Sequence, residues 1–167
     1  MPLSIRLTSI ASALLLCGAV HAQEGPAVQP YRPSVSTPAQ LPATGQLEFE
    51  FGVLAARGID PRSDSLPYLF KLAFDRDWGI LLGGDAYVRQ RGDGANAQGF
   101  GDTSVTLKRA FLVNDATAFG LELTVKAPTA KSTIGSGKSD WTVNAIYSRD
   151  FGDVHMDANL NETRLGA

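Results

Sequence analysis

Apolar and polar residues alternate along most of the chain from residue 45 onward. In "QLEFEFGVLA", Leu47, Phe49, Phe51 and Val53 fall on one face, with Gln46, Glu48 and Glu50 on the other. "FGLELTVKA" sets Phe119, Leu121, Leu123 and Val125 against Gly120, Glu122, Thr124 and Lys126. "VHMDANLNE" sets Val154, Met156, Ala158 and Leu160 against His155, Asp157, Asn159 and Asn161. Period two marks strands with one apolar and one polar face. Segments 67–74, 79–91, 103–113 and 141–151 follow it less cleanly. The total is about seven strands, and no window of helical length shows three-and-four spacing. Two residues break the pattern: Arg109 lies on an apolar face and Ile146 on a polar one.

The connections alternate as well. Those at 75–77, 114–116 and 152–153 are tight, whereas 58–66, 92–101 and 128–140 are longer and rich in glycine or polar residues. In an up-and-down meander this puts every short turn at one end and every long loop at the other, an asymmetry typical of transmembrane β-barrels. Phe74, Trp78, Phe111, Phe119 and Phe151 lie near the short turns, and Tyr68 and Trp141 near the long loops. Two aromatic girdles at membrane–water boundaries have this distribution. Alternation by itself leaves two architectures open, because a soluble barrel hides its apolar face and a membrane barrel turns that face to lipid.

The N-terminus bears on that choice. Arg6 precedes an apolar run, 7–20, too short to span a bilayer, and Val20-His21-Ala22 offers compact residues to a signal peptidase. Residues 1–22 read as a secretory signal peptide. Cys17, the only cysteine, follows Leu16 rather than the small residue that precedes a lipid-modified cysteine, and it leaves with the signal. The mature chain then has no thiol chemistry and no disulfide. Losing Arg6 as well leaves 14 basic residues against 17 acidic ones, a net charge near −3. That balance argues against nucleic acid as a partner. Residues 23–44 hold five of the nine prolines and little aliphatic periodicity, so they read as a flexible, disordered linker. Export, loop asymmetry and the missing disulfides together tilt the choice toward the membrane.

Candidate chemistry is sparse. "TIGSGKSDW" contains Gly137-Lys138-Ser139, the end of a phosphate-binding loop. The loop's first glycine would fall at Ser132, and "DWTVNAIYSRDF" follows where a helix is required, so no nucleotide is expected. Lys126, Lys131 and Lys138 gather in or beside this loop. His155 and Asp157 share a strand face, but His155 is the only histidine left after cleavage, too few for a histidine metal site. A hydrolase built on His155 would need a serine within reach, and the sequence singles none out. No catalytic residue and no cofactor are expected. The polar faces instead supply a mixed-charge wall: Glu48, Glu50, Lys71, Asp85, Lys108, Glu122, Lys126, Asn144, His155, Asp157 and Asn159.

"GFGDTSVTLKRAF", "GLELTVKAPTAKSTIGSGKSDWTVNAIYSRDFGDVHMDANLNETRLG" and the signal peptide resemble a Gram-negative outer-membrane β-barrel family labelled transporter or phenol-degradation meta-pathway protein. The shared element here is Lys126-Ala127-Pro128-Thr129, then Gly135-Ser136-Gly137 and the strand start Asp140-Trp141. The resemblance spans residues 45–167 and implies an outer-membrane barrel admitting small, often aromatic, compounds, without catalytic residues. Its partners would be outer-membrane lipid, small solutes and the barrel-insertion machinery. Barrels of this kind use an even strand number and end on an aromatic residue, so a chain of about seven strands ending Leu165-Gly166-Ala167 reads as truncated. The expected fold is all-β: a signal peptide, a linker at 23–44 and an antiparallel up-and-down meander over 45–167 forming part of a transmembrane β-barrel. A soluble periplasmic β-barrel holding a small apolar ligand is the alternative.

Overall fold

The structure is a computed structural model describing residues 28, 30–32, 36–57, 62–92 and 96–166. The proposed signal peptide lies outside the described residues. Among those residues there is no helix; nine strands form one antiparallel sheet. They are β1 Leu47–Phe51, β2 Leu54–Ala56, β3 Arg62–Ala73, β4 Trp78–Arg91, β5 Ala97–Gly99, β6 Thr103–Asn114, β7 Thr117–Ala127, β8 Asp140–Phe151 and β9 Val154–Arg164. The sheet order is β1-β3-β4-β6-β7-β8-β9, with β2 beside β3 and β5 beside β4. The sheet is therefore an open meander of seven chain runs. Two of the runs are interrupted, β1/β2 at Gly52-Val53 and β5/β6 at residues 100–102, which accounts for nine strands where the periodicity predicts about seven.

The short connections fall where the sequence puts them. Asp75 Oδ1 accepts from Asp77 N at 3.1 Å, Asn114 Oδ1 accepts from Ala116 N at 3.0 Å, and Gly152 takes φ +63°. Such side-chain-to-backbone bonds and a left-handed glycine are the local chemistry of tight turns. Two of the long connections are shorter than expected, because β3 begins at Arg62 instead of 67 and β5 occupies part of 92–101. These additions, such as Arg62-Ser63-Asp64-Ser65, carry no apolar rows and leave no period-two signal. Pro67 lacks an N–H for the ladder, and the β3–β4 register shifts between Leu66 and Pro67 to accommodate it.

The two faces of the sheet are covered in the reverse of the usual order. Fully or nearly buried side chains include Glu48, Lys71, Lys108, Glu122, Thr106 and Ser148. The apolar rows stay exposed across the sheet: Phe49 at 56 %, Leu107 at 41 %, Leu121 at 46 % and Val143 at 49 %. What covers the polar face is the proline-rich segment. Tyr31, Pro38, Ala39 and Pro42 are buried, and Ala39 has no exposed surface. The expectation of a disordered, solvated linker thus fails for its described residues. Low periodicity excludes a regular element of its own, but it does not stop a segment from docking on a surface that the rest of the chain supplies.

Candidate functional site on the polar face

The sheet register builds the site from the period-two rows. Glu48 pairs with Lys71 across β1–β3, Lys108 with Glu122 across β6–β7, and Glu122 with Asn144 across β7–β8. Residues facing the same way on adjacent strands stand close enough for opposite charges to meet. Lys71 Nζ lies 2.7 Å from Glu48 and 2.6 Å from Glu50. Lys108 Nζ lies 3.0 Å from Glu122, whose other oxygen accepts from Asn144 Nδ2 at 2.9 Å. Neither lysine has exposed surface. Buried charges are tolerated only when paired and hydrogen-bonded, and here the pairing partners come from the neighbouring strands.

The N-terminal segment completes the cluster. The Tyr31 ring lies against both ammonium groups, 4.2 Å from Lys71 Nζ and 4.5 Å from Lys108 Nζ to its centroid. Cations are attracted to the electron-rich faces of aromatic rings, most strongly where water is excluded. Tyr31 N donates to Glu50 at 2.8 Å, and its hydroxyl donates to the Gln40 carbonyl at 2.7 Å. Burial, with Glu122 and Glu48 adding to it, pushes the Tyr31 hydroxyl far above its usual range, which keeps it a neutral donor. Lys108 Nζ also donates to the Pro38 carbonyl at 2.5 Å. Ala39 N donates to Ser148 Oγ at 2.8 Å, and Thr37 N and carbonyl pair with the Asn159 amide at 2.7 and 3.2 Å. Tyr31 and residues 37–39 therefore touch β1, β3, β6, β8 and β9 between them, lying across the sheet.

Ile146, an apolar residue on the polar face, packs against Ala39 and Ala118 in a small buried cluster. Arg109, a charge on the apolar face, sets its guanidinium 5.1 Å from the Trp78 ring and 4.6 Å from that of Phe111, near the short turns. Arg149 does the same over Phe151 at 4.8 Å. Both breaks in the alternation thus have partners that the sequence left unassigned.

The wall residues divide into three groups. Glu48, Glu50, Lys71, Lys108, Glu122 and Asn144 form the buried cluster. His155, Asp157 and Asn159 stand on β9, where His155 lies between Asp150 (2.6 Å) and Asp157 (3.0 Å). Ser148 Oγ donates to Asp157 at 2.5 Å, so this serine is bonded to a carboxylate and not to an imidazole. A serine–histidine nucleophile pair is not what this geometry provides. Asp85 and Lys126 lie apart from both groups, toward the long loops, with Lys126 held 3.5 Å from Asp102 and 2.5 Å from Asp140. In the glycine-serine stretch Gly137 takes φ +69°, and strand β8 begins at Asp140 where a phosphate loop needs a helix.

Sequence reasoning missed Tyr31, Pro38, Ala39, Ser148, Asp102 and Asp140. Ser148, Asp102 and Asp140 carried a usable signal, a polar position on or beside an alternating strand. Among the described residues no group of three or more His, Cys, Asp or Glu is arranged to hold a metal. No protein-family model, curated protein or solved structure matches the chain.

Proposed function

We infer that this protein is a wall of an outer-membrane β-barrel, a passive route for small solutes along its polar face. The observation that carries the reading is the inverted burial: charged residues of β1, β3, β6 and β7 are covered, whereas apolar residues stay exposed on every run of the sheet. A row such as Ile80, Leu107, Leu123 and Val143 is costly in water and favourable in hydrocarbon. The soluble, ligand-binding barrel needs these same rows inside. Arg109 and Arg149 over aromatic rings near the short turns fit a boundary where rings and long cationic side chains collect. Solutes would move past mixed charges without a chemical step, and Tyr31 and residues 36–42 would narrow the route. That the solutes are small aromatic compounds comes from the family resemblance alone.

In hydrocarbon the β1 and β9 edges must be paired, because open backbone groups find no water there. Membrane fractionation of the expressed chain, with a boiled-against-unboiled gel shift, tests the reading. Recovery with the outer membrane and a heat-dependent shift is the expected result. A soluble monomer would transfer the assignment to the ligand-binding barrel.

A further inference from the structure

A second polar site stands at the long-loop end of the sheet, apart from the lysine cluster. It is a cavity of about 510 Å³ lined by Ser63, Ser65, Asp85, Gln90, Ser104 and Lys126 among others. The 128–139 loop closes over it and is tied down at several points. Ala130 N donates to Asp102 Oδ1 at 3.0 Å, and Thr129 Oγ1 donates to the Gly101 carbonyl at 3.2 Å. Gly135 sits so close that an added Cβ would lie 2.9 Å from both Asp102 carboxylate oxygens. Gly101 approaches Asp85 in the same way and donates its N–H to the Asp85 carbonyl at 2.9 Å.

Within this frame two unpaired groups stand out. The Asp85 carboxylate has no hydrogen bond or ion pair among the described residues. Ser65 retains only 9 % of its surface, and its hydroxyl has no partner among them either. An unpaired hydroxyl and an unpaired carboxylate that line one cavity can both be met there by a ligand or by water. The charge balance selects the ligand. Among the lining residues Asp85 and Asp102 outnumber Lys126, whose ammonium is already shared between Asp102 and Asp140. Anions are repelled, and one carboxylate is left to meet a cation. Val88 and Ile134 add a short apolar surface to the lining.

We propose that this cavity binds a small organic ammonium carrying a hydroxyl, its nitrogen on Asp85 and its hydroxyl at Ser65. The binding site stands on the cavity alone. Its role as a cation-selecting entrance to the passage rests on the membrane reading.

Ethanolammonium is the probe, with ethylene glycol as its neutral analogue and glycolate as its anionic one. Equilibrium dialysis of the refolded full chain in detergent micelles, at neutral pH, should give saturable uptake of ethanolammonium. Both analogues should bind at least about tenfold more weakly, the size of one lost charge-assisted hydrogen bond. Asp85→Asn should weaken ethanolammonium at least about tenfold as well, and Lys138→Ala, on the same loop but outside the cavity, should leave it unchanged. Absence of saturable uptake, equal uptake of ethanolammonium and ethylene glycol, or full binding by a folded Asp85→Asn chain would overturn the site. The three-probe comparison on the unaltered chain decides the matter even where the variant does not refold. Because uptake is read in micelles, its failure is separable from failure to enter the outer membrane.

Discussion

A lysine with no exposed surface is tolerable only when its ammonium is met on all sides. Lys108 meets this condition with Glu122, the Pro38 carbonyl and the Tyr31 ring, each from a different part of the chain. Replacing it by methionine leaves Glu122 buried with only the Asn144 amide to answer its charge. We expect Lys108→Met to lose ~3–5 kcal/mol in urea unfolding of the refolded chain, and the Lys108→Met/Glu122→Leu pair to recover most of that. Tyr31 makes a separate prediction. Its folded pKa is raised above the ordinary value of 10.0, so the folded chain keeps a proton that the unfolded chain gives up. The stabilisation is whole below that value and declines as pH rises beyond it, by up to about 1.4 kcal/mol per pH unit. Tyr31→Phe should lack this share of the alkaline slope, measured as unfolding free energy against pH for both chains. Neither role was legible in the sequence, since Tyr31 stands in a proline-rich stretch without period. The lysines were legible as polar-face residues, but their burial was not.

At the scale of the element, the strands are written in the sequence and the docking of residues 36–43 is not. Glycines on the polar face make room for that segment. A Cβ on Gly79 would lie 2.6 Å from Leu41 Cδ2 and 3.0 Å from the Leu72 carbonyl oxygen, and one on Gly120 would lie 3.1 Å from the Ala39 Cα. Gly120→Val should therefore push the segment outward and leave the ladder intact. Overpacking of this kind costs about 1–3 kcal/mol, enough to raise the opened fraction about tenfold. The expected outcome is faster protease cleavage within residues 36–43 with an unchanged far-ultraviolet β-sheet spectrum. Loss of that spectrum would instead place Gly120 in the sheet's own stability. The sequence did mark the neighbourhood: Ile146 interrupts a polar row, and the interruption is where Ala39 packs.

For the whole molecule, the decisive property is which face lies outward. If the apolar rows face lipid, Leu121→Arg near the middle of β7 should weaken insertion into phospholipid vesicles by ~2–4 kcal/mol. Asn161→Arg, on the polar face of β9, should change it by less than about 0.5 kcal/mol. Flotation of the refolded chains with vesicles measures both. Equal losses would remove the distinction between the faces. The strands, their two faces, the tight turns and the meander order follow from the sequence, because each is set by residues a few positions apart. Three things were decided only by tertiary structure. The ion-pair cluster depends on register between strands distant along the chain. The position of the proline-rich segment depends on a surface that it does not itself encode. Which face is covered is the third, because a period-two pattern is identical whether its apolar rows point inward or outward, and only the segment packed on the polar rows breaks that symmetry.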